Sequence, residues 1–136
     1  MMSMDGSGEM TGDSTRCVHS SLDPEVTTGS VHTPIFQTST YVQNDFANHL
    51  GYEYARGDNP TRNALQRALA EMESPHQEAY GFCFGSGMAA ITTISQMLKQ
   101  GDHVIACDDL YGGTVRLFDQ IASRFGIETS YSPLKS

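Results

Sequence analysis

The chain has 136 residues, a length that fits a single domain, and no run approaches the ~18 apolar residues that a membrane helix needs. Its formal charge of −8 excludes the basic face of a nucleic-acid binder, while leaving room for a local positive pocket around an anion. Hydrophobic residues at 38% and charged residues at 18% are proportions of a globular chain rather than a disordered one.

Residues 1–16 are rich in Gly, Ser, Asp and Met without periodicity and read as a disordered tail. They have no apolar stretch and little positive charge, so neither a secretory signal nor a transit peptide is expected. Three cysteines (Cys17, Cys83, Cys107) without CxxC spacing point to a reduced compartment, with a cytoplasmic protein expected. Cys83 and Cys107 stand in apolar runs and read as small buried hydrophobes. From Cys17 to about Gly51 the chain is polar and punctuated by Asp23-Pro24, Thr28-Gly29 and Thr33-Pro34, with residues 35–42 extended. Ordered coil of such length is uncommon unless it packs on something, which makes residues 17–60 an arm expected to lie on a neighbouring subunit.

The first helix follows Asn59-Pro60-Thr61. Asn59 suits the N-cap, and Pro60 suits the first helical position, where its missing N–H costs nothing. Leu65, Ala68, Leu69 and Met72 form the helical stripe, and Ser74-Pro75 ends it. Residues 79–84 then read as a buried strand, and Gly85-Ser86-Gly87 turns into a helix running to about Leu98. Residues 103–107 are a second strand. A helix from about Thr114 to Phe125 carries Phe118, Ile121, Ala122 and Phe125 on one face, stopped by Gly126, and residues 127–131 are a third strand. Strand and helix alternating in this way predict parallel βαβ units in an α/β fold. Residues 61–136 are therefore read as the first part of a larger domain, because three strands are few for such a sheet.

The turn Gly85-Ser86-Gly87-Met88-Ala89-Ala90 is the most informative local feature. Its glycines allow close approach of the backbone to a ligand, its N–H groups at the helix start favour an anion, and Ser86 adds a hydroxyl at the cap. The same residues fit the G-x-G-x-x-A dinucleotide fingerprint, with Asp108 about where a ribose-binding acid would stand. A nicotinamide-dependent dehydrogenase is thus an alternative. It leaves the Tyr/Arg segment upstream and the Tyr-Gly-Gly loop downstream without a role. The five histidines show no HExxH or other compact metal spacing, and no G-x-S-x-G elbow is present.

Three segments form a signature together: residues 52–62 (YEYARGDNPTR), 85–90 (GSGMAA) and 108–114 (DDLYGGT). In this order and spacing they resemble the fold-type-I pyridoxal-phosphate (PLP) enzymes of cysteine and methionine metabolism. That family includes cystathionine γ-synthase, the cystathionine lyases, methionine γ-lyase and O-acetylhomoserine sulfhydrylase. Residues 28–41 are similar to the family's N-terminal arm. The resemblance implies a transferase-like fold in which the arm precedes a mostly parallel sheet with helices on both faces. It implies that Gly87 and Met88 bind the cofactor phosphate through their N–H groups, beside Ser86. Tyr54 and Arg56 match the pair that reach that phosphate from the neighbouring subunit, within a homotetramer built as a dimer of dimers. Tyr111 matches the aromatic that stacks on the pyridine ring and is a candidate for proton transfer at the substrate.

The Schiff-base lysine is not recognisable here. Lys99 ends a helix and Lys135 is penultimate, neither in the family's Ser-x-Thr-Lys context, so that lysine and the aspartate for the pyridine nitrogen are expected beyond Ser136. The chain by itself is expected to be inactive. For the full-length product the resemblance implies elimination or replacement at the β or γ carbon of a small sulfur amino acid. Gly113 looks like the cystathionine enzymes, because methionine γ-lyases often carry cysteine there. Cystathionine γ-lyase or γ-synthase is therefore expected. Methionine γ-lyase, O-acetylhomoserine sulfhydrylase and a truncated, non-catalytic interaction module are the other readings.

Overall fold

A computed structural model of the chain describes residues 13–20, 23–46 and 48–133. They divide into two units, one ending at Cys83 and one starting at Phe84.

The first unit begins with α1 (Asp13–His19), whose last turn carries Arg16 and His19, the charge that suits a helix C-terminus. Residues 13–16 are thus helical rather than the end of a disordered tail, and residues 1–12 lie outside the described ones. A turn follows in which the Glu25 carboxylate accepts the N–H groups of Thr27 (2.9 Å) and Thr28 (2.7 Å). Those backbone donors, with the Thr28 hydroxyl, hold the Glu25 carboxyl down at about 2. Along the arm, β1 (Gln43–Asp45) and β2 (Asn48–His49) form an antiparallel pair. Below that hairpin the N–H of Tyr41 meets the Glu53 carbonyl (3.2 Å) and that of Ala55 meets Ser39 (2.8 Å). The arm leaves Val31, Ile35, Val42 and Phe46 uncovered.

The arm is tied to the second helix, α2 (Pro60–Glu73), by its cap. Asn59 Oδ1 accepts the N–H of Thr61 (2.9 Å) and Arg62 (3.3 Å), while its amide nitrogen donates to the Phe36 carbonyl (3.1 Å). Thr61 donates its hydroxyl to the Pro34 carbonyl (2.7 Å) and accepts from the Phe36 N–H (3.0 Å). Asn59→Ala should therefore cost about 1–2 kcal/mol of local stability, more than a simple cap, because a part-buried carbonyl loses its donor as well. Asn59→Asp, which keeps the cap acceptor and loses only the donor, should fall between. Hydrogen exchange at the Thr61 and Arg62 amides reads the effect, and protection equal to wild type in the alanine variant would refute it.

Residues 79–84, expected as a buried strand, form no regular element and have no ladder partner among the described residues. Tyr80 and Phe82 are three-quarters exposed, and Cys83 is only partly buried. The segment is held instead by α2, where Gln66 Oε1 accepts the Cys83 N–H at 3.0 Å.

The second unit is a βαβ crossover. Following α3 (Gly87–Ser95), β3 (His103–Cys107) pairs in parallel with β4 (Glu128–Ser132), from His103 opposite Glu128 to Cys107 opposite Ser132. The connection is α4 (Gly112–Arg116), which continues through a π-helical turn (Leu117–Ile121) and a 3-10 turn (Ala122–Phe125). Gly126 ends it with φ of 73°, in the left-handed region that glycine adopts freely. The change of pitch rotates the apolar stripe. Phe118 and Ala122 are buried with Ile127 against Ile91, Leu98 and Val104, whereas Ile121 and Phe125, expected on the same face, are exposed. α3 also ends three residues earlier than expected, at Ser95 rather than Leu98.

Candidate cofactor-phosphate site

Ser86 has an extended backbone (φ −161°, ψ 157°) and starts α3 as its N-cap. Its hydroxyl oxygen accepts the Ala89 N–H at 3.1 Å, and its carbonyl accepts the Ala90 N–H at 3.2 Å. The N–H groups of Gly87 and Met88 keep no acceptor among the described residues. A Cβ built on Gly85 or Gly87 would meet nothing within 4 Å, so the turn is open where side chains would otherwise stand. The Ser86 O–H is still available to donate. Two backbone donors, a hydroxyl and the positive end of a helix dipole lie within one turn at the start of α3, a set that suits a phosphate.

Tyr111 stands in the loop after the C-terminal end of β3 and is 71% exposed. Its carbonyl accepts the Thr114 N–H at 2.8 Å. A Cβ on Gly113 would lie 2.5 Å from Tyr111 Cε1 and 3.2 Å from Met88 Sδ, so glycine is what lets the ring and the thioether approach from two sides. The structure thus places Met88 and the exposed Tyr111 ring on either side of Gly113 in the second unit, with Ser86 and Gly87 directly before Met88 at the start of α3. That set fits a phosphorylated aromatic cofactor.

Tyr54 and Arg56 belong to the first unit and are themselves adjacent, with Arg56 Cζ 4.8 Å from the Tyr54 ring centroid. They are not on an extended segment, as their i, i+2 spacing implied. The chain turns after Tyr54, whose carbonyl accepts the N–H of Gly57 (3.0 Å) and Asp58 (2.9 Å). Arg62, given no role above, braces this turn by donating to the carbonyls of Ala55 (3.1 Å) and Gly57 (2.7 Å). Its place in the first turn of α2, six residues after Arg56, was the signal available. Lys99 is exposed beyond the C-terminal end of α3, at the other end of that helix from the cradle, and Lys135 lies outside the described residues. No group of three or more metal-ligating side chains occurs among the described residues. No helix among them is long and apolar enough to cross a membrane.

The α/β fold and the family match place the chain in the PLP-dependent class. The family described as "Cys/Met metabolism PLP-dependent enzyme" matches residues 14–136, and the chain belongs to it. It is 49% identical over 120 residues to a probable cystathionine gamma-synthase of Herpetosiphon aurantiacus, covering 88% of this chain and 37% of that protein. It is 43% identical to human cystathionine gamma-lyase, over 86% of this chain and 28% of the relative. Among solved structures, cystathionine gamma-lyase from Lactobacillus plantarum complexed with L-serine matches with a TM-score of 0.82 and 35% identity. The match covers 93% of this chain and 32% of that one. The chain therefore spans about a third of the length of the relatives it matches. Family membership removes the dinucleotide reading of Gly85–Ala90, and Asp108 keeps no ribose to bind.

Proposed function

We propose that the full-length protein is a PLP-dependent transsulfuration enzyme, a cystathionine γ-lyase or γ-synthase. The observation that carries this is the pair of N–H groups at Gly87 and Met88 that keep no acceptor among the described residues, with the exposed Tyr111 ring and the Met88 sulfur on either side of Gly113. Gly87, Met88 and Ser86 would hold the cofactor phosphate. Tyr111 would offer a ring face to the protonated pyridine, a contact worth about 0.5–2 kcal/mol by analogy with cation–π pairs. Its hydroxyl, set beside the substrate, would pass a proton at the departing or entering group. Bound there, the cofactor supplies electron withdrawal from the α carbon of the amino acid. Tyr54 and Arg56 would close on the phosphate from a neighbouring subunit in a dimer of dimers, where the uncovered apolar side chains of the arm find their cover. A cytoplasmic location agrees with the three free cysteines. Glycine at 113 agrees with the resemblance to the cystathionine enzymes, and a Cβ there would crowd the Tyr111 ring.

Titrating the full-length apoprotein with PLP, and assaying it with cystathionine against O-acyl-homoserine plus cysteine, tests this reading. The expected result is saturable cofactor binding and turnover of one of the two substrate sets. A full-length protein that folds and takes up no PLP would rule the assignment out.

A further inference from the structure

Thr114 is only 5% exposed, and its hydroxyl donates to the thioether of Met88 at 3.7 Å. A thioether is a weak acceptor, so this is an unusual end for a buried hydroxyl. The contact joins two backbones that carry different parts of the site. Through its N–H, Thr114 holds the Tyr111 carbonyl at 2.8 Å, and Met88 contributes one of the two open N–H donors at the start of α3. Gly113 lies between them, with its Cβ position 2.5 Å from the Tyr111 ring and 3.2 Å from the same sulfur.

We propose that the Thr114 and Met88 side chains are positioning residues that set the span between the phosphate donors of α3 and the ring of Tyr111. The proposal rests on the cofactor reading above and deepens it. A phosphorylated pyridine has a nearly fixed distance between its phosphate and its ring. Donors at one end and a stacking face at the other bind it together only when they are spaced to match, and an ångström of error forfeits much of the benefit. The Thr114–Met88 contact links the first turn of α4 to the first turn of α3 within the second unit. It consists of side chains alone, so it can be removed without touching either backbone donor.

Three variants of the full-length protein test it: Thr114→Val, which keeps the shape and loses the donor; Thr114→Ser, which keeps the donor; and Met88→Leu, which keeps the bulk and loses the acceptor. Inorganic phosphate affinity reads the cradle alone, PLP affinity reads the span, and circular dichroism in the bound cofactor's visible band reads ring orientation. Thr114→Val and Met88→Leu should lower PLP affinity about tenfold, leave phosphate affinity within about twofold, and weaken the visible dichroism, with Thr114→Ser close to wild type. Equal PLP affinity and dichroism in Thr114→Val and wild type would overturn the proposal. So would a parallel loss of phosphate and PLP affinity, which marks general damage to the start of α3. A wild-type protein that binds phosphate but no PLP would instead defeat the cofactor reading, and this inference with it.

Discussion

Gly81→Ala should destabilise the first unit by about 2–3 kcal/mol, the range of a forced overpacking. A Cβ at Gly81 would fall in hard contact with the Gln66 carbonyl oxygen and 3.1 Å from its carbon. Both neighbours are backbone in the middle of α2, so neither can swing aside as a side-chain end would. Residues 79–84 must then lift off the helix, and the Cys83 N–H bond to Gln66 Oε1 (3.0 Å) goes with them. Gly57→Ala is the control, because its Cβ would rest at an ordinary 3.5 Å from the Tyr54 carbonyl. Hydrogen exchange at the Cys83 amide and along α2 reads the effect locally, whatever the rest of the protein does. Protection in Gly81→Ala matching that of Gly57→Ala would show that the segment does not depend on the close approach.

The second large effect is on the cofactor. Gly87→Pro should lower PLP affinity of the full-length protein about 10- to 100-fold, from the loss of one hydrogen bond to a charged group, and leave α3 intact. Proline is welcome at the first helical position, and the residue before it must be extended, as Ser86 already is at φ −161° and ψ 157°. No bond among the described residues is lost, because the Gly87 N–H has none there, and a Cβ at this position meets nothing within 4 Å. The donor is what disappears. Gly87→Ala, which retains the N–H, separates the donor from the added bulk. If Gly87→Pro bound PLP as tightly as wild type with unchanged far-UV dichroism, the start of α3 would not be the phosphate site.

The elements that sequence reading located well are those specified by neighbours a few residues apart. Asn59-Pro60 announces the start of α2 because an N-cap and a first-turn proline satisfy purely local requirements, and the structure places both as expected. Ser86 capping α3 and the left-handed stop at Gly126 are of the same kind. The composition of the motifs carried the family, which a match over residues 14–136 then established.

Tertiary contacts decided the rest, because they join residues far apart in the chain whose mutual distance no periodicity encodes. Residues 79–84 had the composition of a strand, yet a strand exists only with a ladder partner, and here Gln66 of α2 takes that place. The pitch change after Arg116 moved Ile121 and Phe125 out to solvent. The turn at residues 55–57, held by Arg62 from the first turn of α2, set Arg56 over Tyr54 where spacing had implied an extended pair. Thr114 meeting the sulfur of Met88 is a contact across 26 positions, fixed by how α3 and the Tyr111 loop pack and by nothing within either segment.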